Sequence, residues 1–383
     1  MKKVLIFLGG YLPARHFGGP VTSMKNMIEH LGDDIEFFLV VSNHDLGSSD
    51  PLPGISSGWN TVGKAKVLYL YDCEFSKKRF VGILKQCRPD IVYMSSIFYH
   101  KMNMPALLAA RSLKIPVILC PRGELDQGAL CHSRLKKGLY YRILRFLGVY
   151  RRIFFHATCE EEANAVHSRL HVPGSRVYMI PNLPASQRSK ETIDKRQGAL
   201  SVMISSRILP NKNQLLGIQA VSRLSGDIVC DIFGPVQDQE YWASCCKQIL
   251  EAPANIKFNY KGELSPEEVG AELLRHDCFL LPTAFENYGH AISEAILHDC
   301  PVVISRGTTP WDDVQEFGAG FTSPLSSTEA FTDALNCLLQ MDSLAYKDLL
   351  DRLHIYRDTK IRLSEIKASF ISMFDSVSIG NHP

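Results

Sequence analysis

Short runs rich in Val, Ile, Leu and aromatic residues recur along this 383-residue chain, separated by stretches with helical spacing, and one polar interruption divides the series in two. In the first half the runs are Val4–Leu8, Phe37–Val41, Val67–Tyr71, Ile91–Ser95, Val117–Cys120, Ile153–Ala157 and Val177–Ile180. Helix-like stretches lie between them, at Val21–Leu31, Phe80–Cys87, Pro105–Leu113 and Glu160–Leu170. A strand that is apolar at every position has both faces covered, since a solvated face would impose alternation, and strand–helix alternation builds parallel sheets from βαβ units. Pro184–Gly198 (PASQRSKETIDKRQG) has no hydrophobic period and reads as a linker. A second series follows: Val202–Ser205, Val229–Phe233, Ile256–Tyr260, Cys278–Leu281 and Pro301–Ile304. The pattern predicts an α/β chain of two Rossmann-like, doubly wound domains, with ligand in the cleft between strand carboxyl ends. At roughly 150 residues per domain, the length fits two or three.

Hydrophobic residues make up 45% and charged residues 21%, with 26 Gly and 20 Pro, which excludes a disordered chain, a coiled coil and a collagen-like repeat. No apolar run approaches the roughly 18 residues of a membrane-spanning helix. Met1-Lys2-Lys3 followed by Val4–Leu8 resembles a signal peptide, but the run breaks at Gly9-Gly10 with no cleavage site, so it reads as a first strand. The 11 cysteines show no CxxC spacing, which fits reduced, mostly buried thiols in a cytoplasm better than a disulfide framework or a zinc site.

The net charge of +2 conceals an asymmetry. Residues 1–185 hold 24 Lys and Arg against 14 Asp and Glu, whereas residues 186–383 hold 18 against 26. The basic half is suited to an anionic partner. Ser133–Phe155 (SRLKKGLYYRILRFLGVYRRIFF) concentrates this charge, with seven basic residues and no acidic one. Leu135, Leu139, Ile143, Phe146, Leu147 and Tyr150 recur at helical spacing. A basic amphipathic helix of this kind can lie on an anionic membrane surface, each nearby cation being worth about 1 kcal/mol; the alternative is a core-packed helix with a solvated basic face. No nucleic-acid-binding motif accompanies the charge, so nucleic acid is not an expected partner.

Three segments carry chemistry. Gly9-Gly10 and Gly18-Gly19 fall between the first strand and first helix, where glycine lets the backbone approach a ligand phosphate at a positive helix N-terminus; the alternative is a plain tight turn. The spacing is not GxGxxG, so a dinucleotide site is not supported. Arg207 and Lys212, five residues apart after the first strand of the second domain, could clamp a diphosphate, Arg in bidentate fashion and Lys as a point charge. The third segment is Pro282–Ile296, with Glu286 in a loop and Glu294 one turn inside a helix beginning near Gly289-His290. Free amides at such a helix start suit an anion, and a carboxylate on a mostly apolar face needs partners such as sugar or ribose hydroxyls. If wholly helical, the eight-residue interval between Glu286 and Glu294 spans about 12 Å. Glycosidase carboxylates stand about 5 Å apart, or about 6.5–9.5 Å in inverting enzymes, so the spacing argues against that hydrolysis.

Glu286 and Glu294 form an E-x7-E motif in a setting that resembles the family 4 (group 1) retaining glycosyltransferases, which have the GT-B fold. Phe285–His290 is similar to the family's E-x-F/Y-G turn, Cys300-Pro301-Val302-Val303 to its G-x-P-V strand, and Arg207 with Lys212 to its R-x4-K pair. Pro181-Asn182 resembles the P-N that ends the first domain, and Tyr260-Lys261-Gly262 the loop beneath the nucleotide base. Thr309-Pro310-Trp311 is similar to a branch found in surface-polysaccharide and lipopolysaccharide gene sets. The likeness is closest over about 177–320 and looser across 1–130.

The resemblance implies an acceptor-binding domain at 1–183, a donor-binding domain at 184–358, and a C-terminal helix within 359–383, read at Thr359–Phe374, that crosses back onto the first. It implies a retaining, metal-independent transferase with no cofactor, moving a sugar from a nucleotide-sugar donor, UDP by family frequency, to a lipid-linked glycan acceptor. The expected setting is peripheral, on the cytoplasmic face of the membrane through 133–155. Arg207 and Lys212 would hold the diphosphate, Glu286 the donor sugar and Glu294 the ribose. Asn287, Tyr288, Gly289 and His290 would support the phosphates, Gly262 would lie under the base, and Gly18 and Gly19 would close over the phosphates. Many members carry a His after the strand equivalent to Val117–Cys120, where this chain has Arg122; some polysaccharide members carry a similar P-R-G-x-L-[DE] segment. Arg122, Glu124 and Asp126 are the acceptor-binding candidates, Asp126 also as a catalytic one; the alternative is a loop carboxylate paired with Arg122. Competing functions are a sugar-phosphate acceptor, a nucleotide-sugar 2-epimerase on the same fold, or a non-catalytic nucleotide-sugar-binding subunit.

Overall fold

The apolar runs of the first half form seven strands: β1 (Lys2–Phe7), β2 (Ile35–Ser42), β4 (Ala65–Leu70), β5 (Ile91–Ser95), β6 (Val117–Cys120), β7 (Ile153–Ala157) and β8 (Val177–Met179). They are mutually parallel, and an eighth, β3 (Trp59–Val62), joins antiparallel at the edge, giving the order β3-β4-β2-β1-β5-β6-β7-β8. In β1, Leu5 and Phe7 enter one core while Val4 and Ile6 enter another, all fully buried. Two cores back to back explain a run with no polar alternation. The structure is a computed structural model and describes residues 1–14, 16–125, 148–150, 152–185, 189–190 and 194–379.

The second series becomes a six-stranded, all-parallel sheet of β9 (Ala199–Ser205), β10 (Asp227–Phe233), β11 (Ile256–Tyr260), β12 (Cys278–Leu281), β13 (Val302–Ser305) and β14 (Phe321–Ser323). Their order is β11-β10-β9-β12-β13-β14. Both sheets are doubly wound around one central strand. The order reverses at β1, between β2 and β5, and at β9, between β10 and β12. The carboxyl end of such a strand opens into a crevice between diverging connections, where this class of sheet binds ligands.

The chain divides into one unit of Met1–Leu183 with Leu363–Pro383 and another of Pro184–Arg362. The stretch read as one helix over Thr359–Phe374 is two, Ser343–Lys360 and Leu363–Ile379, parted at Ile361-Arg362. The second inserts Ile366, Phe370, Met373, Phe374 and Val377 into the same core as Val4 and Ile6. Pro184–Gly198 is more than a tether. The Lys190 amide donates to Asp299 Oδ2 (3.0 Å), its Nζ to His276 O (2.6 Å) and Tyr346 Oη (3.1 Å), and Ser343 Oγ donates to Lys195 O (2.8 Å). Lys190 and Lys195 anchor it to the second unit.

All ten described cysteines are free, six of them buried. Among the described residues no helix is long and apolar enough to cross a membrane. Of the basic segment 133–155, residues 133–147 and 151 lie outside the described residues, and Ile153–Phe155 belong to β7.

Candidate active site

The turn after β9 is built by its neighbours. Ser206 N donates to Phe233 O (3.1 Å) and Ile208 N to Pro235 O (2.9 Å), carrying strand pairing past the sheet. Gln214, buried at the start of helix Gln214–Val221, donates Nε2 to Ser206 Oγ and Arg207 O (2.8 Å each). Gly234 has φ +129°, and a Cβ there would stand 1.9 Å from Ser206 O, so only glycine lets the two loops touch. This packing presents Arg207 at the surface, where its one described hydrogen bond is Nη1 to Gln237 Oε1 at 3.4 Å. A one-turn 3-10 helix, Pro210–Lys212, ends at Asn213 in the left-handed region and turns Lys212 inward.

Lys212 Nζ meets Glu286 Oε1 in an ion pair whose side chains are 12% and 19% exposed. Its backbone supports come from both strand ends. Ala284 N donates to Asn211 O (2.8 Å), and Glu286 N to Thr308 O (2.8 Å). Ser305 Oγ and Thr308 Oγ1 both donate to Thr283 O (2.5 and 3.0 Å). Glu286 thus stands beside Lys212 at the switch point, with Asn287 half-buried next to it.

Gly289, with φ +74°, caps helix His290–Leu297. Tyr288 is buried against Trp311 and His290 (ring centroids 5.7 and 4.9 Å), and Trp311 Nε1 donates to Tyr288 O at 2.5 Å. Burial pushes the Tyr288 phenol above its ordinary range despite a Ser293 hydrogen bond that lowers it. Trp311 therefore acts as the buttress that fixes the turn opening this helix. Glu294 is half-buried one turn further on. Gly262 has φ +75°, and its carbonyl accepts from Gly234 N (2.8 Å) while Tyr260 Oη donates to Gly234 O (2.9 Å). The Gly262 loop thereby joins the turn carrying Arg207.

The first unit uses its strand-end charges differently. Glu124 accepts from Ser96 Oγ (2.6 Å) and the amides of Ile97 (2.6 Å) and Phe98 (3.2 Å), bracing the loop before helix His100–Ser112. Arg122, at φ +57°, donates Nη1 to Asn182 Oδ1 (2.6 Å), Nε to Ser95 Oγ (3.4 Å) and Nη2 to Tyr93 Oη (3.4 Å). Tyr93 Oη lies 2.7 Å from His156 Nδ1, and His156 Nε2 lies 2.8 Å from Ile180 O. A carbonyl only accepts, so Nε2 carries the proton and Nδ1 accepts from Tyr93. Burial, with the Arg122 charge adding to it, pushes His156 down to about 3 and keeps it neutral. Glu162, fully buried, accepts from Gly123 N (2.6 Å), Thr158 N (2.7 Å) and Thr158 Oγ1 (2.9 Å).

Arg122 donates to Asn182, Ser95 and Tyr93, and Glu124 accepts from Ser96, Ile97 and Phe98, so both brace their loops while staying half-exposed; Asp126 lies outside the described residues. Gly9 and Gly10 are the floor on which the Phe17 ring packs. A Cβ on Gly10 would lie 2.3 Å from that ring. Gly18, with φ +67°, faces open space and Gly19 begins helix Gly19–Leu31. Gln214, Gly234 and Glu162 are absent from the sequence reading. Glu162 is the third of three glutamates in a helix's first turn, and only the inward direction of that position sets it apart.

One group of metal-type ligands occurs among the described residues: Asp231, Glu272 and His276, with ligand atoms within 4.8 Å of one another. The Asp231 carboxylate already has protein partners. Asp231 accepts from Lys261 Nζ (2.5 Å) and Asn259 Nδ2 (2.7 Å) and meets His276 Nε2 (3.2 Å). Burial opposes its ionisation, but the Lys261 and Asn259 hydrogen bonds prevail and hold the carboxyl below its ordinary range. The group reads as a buried ion-pair network.

Comparison with known proteins follows the same division. Residues 186–352 match the family model of glycosyl transferases group 1, and residues 18–183 that of a glycosyl transferase 4-like domain. No curated protein matches the sequence. Among solved structures, HepE of Anabaena, in complex with UDP and glucose, is 15% identical, with 98% of this chain and 100% of that one aligned at a TM-score of 0.72. Sucrose-phosphate synthase from Thermosynechococcus elongatus is 10% identical, covering 99% and 100% at 0.70. WaaG, a glycosyltransferase involved in lipopolysaccharide biosynthesis, is 14% identical, covering 96% and 99% at 0.65. At these identities the likeness is one of fold.

Proposed function

The chain belongs to the group 1, family 4 glycosyltransferases of GT-B fold, and from that premise we propose that it moves a sugar from a UDP-sugar to a lipid-linked glycan of surface polysaccharide or lipopolysaccharide. The observation that carries this reading is the Lys212–Glu286 pair at the switch point of the second sheet, with Arg207 exposed on the same turn. A cation pair there suits a diphosphate, and a neighbouring carboxylate suits sugar hydroxyls.

In this account Arg207 and Lys212 neutralise charge growing on the departing diphosphate, a form of electrostatic catalysis that needs neither metal nor cofactor. The start of helix His290–Leu297, at Tyr288–His290, supplies amides to the phosphates. Glu294 takes the ribose hydroxyls, and the Gly262 loop lies under the base. Front-face displacement with retention needs no protein nucleophile. The UDP in the HepE structure supports the choice of base, and the role of WaaG supports the choice of acceptor. The basic segment 133–155 would hold the enzyme on the anionic cytoplasmic face of the membrane.

The test is transfer from radiolabelled UDP-glucose, UDP-galactose and UDP-N-acetylglucosamine in EDTA, onto lipid-linked glycan extracted from membranes or onto hexose 6-phosphates. The expected result is label in the lipid fraction with the donor's anomeric configuration, read by NMR. Label only in a sugar phosphate would overturn the acceptor, and an EDTA-abolished reaction would overturn metal independence.

A further inference from the structure

The Lys212–Glu286 pair bridges two separate strand ends, the turn after β9 and the loop after β12. Backbone bonds fasten both sides, Ala284 N to Asn211 O and Glu286 N to Thr308 O, each 2.8 Å. Exposed ion pairs between long, mobile side chains contribute little. This one differs, since both side chains are largely withdrawn from water and neither backbone is free to swing away. Withdrawing charge from water makes each partner dependent on a counter-charge, so a group that takes Lys212 must also leave Glu286 with a new partner.

We propose that Glu286 is a resident competitor for the donor diphosphate. It holds Lys212 until the diphosphate displaces it, and the carboxylate so released is the one that accepts the donor sugar's hydroxyls. The inference rests on reading this site as a nucleotide-sugar site and adds an order of events to it. A diphosphate without a sugar breaks the pair and leaves Glu286 unpartnered beside new negative charge, so nucleotide alone binds below the intrinsic strength of the clamp. A complete donor supplies hydroxyls to the released carboxylate, so one salt bridge couples recognition of the diphosphate to recognition of the sugar.

A competitor differs from an ordinary binding residue in the sign of its removal. Calorimetric titration of UDP and of inorganic pyrophosphate, in EDTA, is expected to show Glu286→Gln binding both about tenfold more tightly than wild type, a change of about 1.4 kcal/mol. Glu286→Asp, which keeps the charge, stays near wild type, and Lys212→Met weakens both ligands. In Lys212→Met, adding Glu286→Gln should no longer tighten binding through that lysine, so the gain shrinks. Glu286→Ser repeats the test should the Gln variant fold poorly. Unchanged or weaker binding of both probes by folded Glu286→Gln and Glu286→Ser, with Lys212→Met weakened, overturns the inference and leaves the donor-site reading standing. Wild type that binds neither probe overturns that reading, and the inference with it.

Discussion

At the strand ends of the first unit, Glu124 and Glu162 each accept from three donors and Arg122 donates to three acceptors. At those of the second, Arg207 is exposed with one long hydrogen bond, and Lys212 and Glu286 answer mainly to each other. The residue types are alike, but their hydrogen-bonding capacity is spent differently. A charged group bonded to several partners in its own chain fixes a loop and contributes to stability, because removing it orphans several donors or acceptors at once. One with fewer internal partners has capacity to spare for a ligand. On this contrast the first unit's charges brace their loops, and the proposed donor site falls to the second unit's.

The variant that most sharply tests the contrast is Gly234→Ala, where both roles coincide. The added Cβ meets Ser206 O at 1.9 Å with φ at +129°, so the turn bearing Arg207 must move. Urea unfolding is expected to show a loss of about 3 kcal/mol or more, with UDP binding weakened as well. Unchanged stability would mean the loops do not touch as described. Glu162→Ala should cost about 3 kcal/mol, since two amides and a hydroxyl lose their buried acceptor, while UDP affinity stays within about twofold. A large loss of UDP affinity at wild-type stability would give Glu162 a part in donor binding.

A smaller effect comes from pH. His156 is held neutral down to about 3 in the folded protein, whereas an unfolded histidine takes up a proton near 6.5. Below pH 6.5 the unfolded chain therefore binds more protons, and stability falls with falling pH until about 3. Between pH 7 and pH 5 this one group removes about 2 kcal/mol. Urea titrations at both values measure it, and His156→Gln should flatten the slope by that amount; an equal slope in the variant would mean that His156 does not titrate this way. Smallest is Glu124→Ala, expected to cost about 1 kcal/mol at this half-buried site and to leave UDP binding alone. Its failure to cost anything would free Glu124 for the acceptor role that the sequence suggested.

The same contrast explains what could be read in advance. Strands such as Ile91–Ser95 and Cys278–Leu281 are legible because burial on both faces leaves an unbroken apolar run. β3 escaped because Trp59–Val62 is an edge strand with no fully buried residue, and polar Asn60 and Thr61 interrupt it. Arg207 with Lys212, and Glu286 with Glu294, stand close together in sequence, each pair at fixed spacing around one strand end or one helix start, so a linear motif preserves the geometry of each pair. The Arg122, Tyr93, His156, Asn182 and Glu162 network draws on five separate segments, and no local pattern announces it. Gly9-Gly10 left two readings open for a related reason. A glycine pair signals close approach, but not whether a phosphate or the Phe17 ring makes it.

The central claim is that the strand ends of the second unit form a nucleotide-diphosphate clamp, and calorimetric titration of UDP in EDTA tests it most directly. Wild type should bind, and Arg207→Ala/Lys212→Ala should bind at least about 100-fold more weakly while still unfolding cooperatively, its stability lowered by the loss of Glu286's counter-charge. Equal affinity in wild type and the double variant, or no binding by wild type, would contradict it.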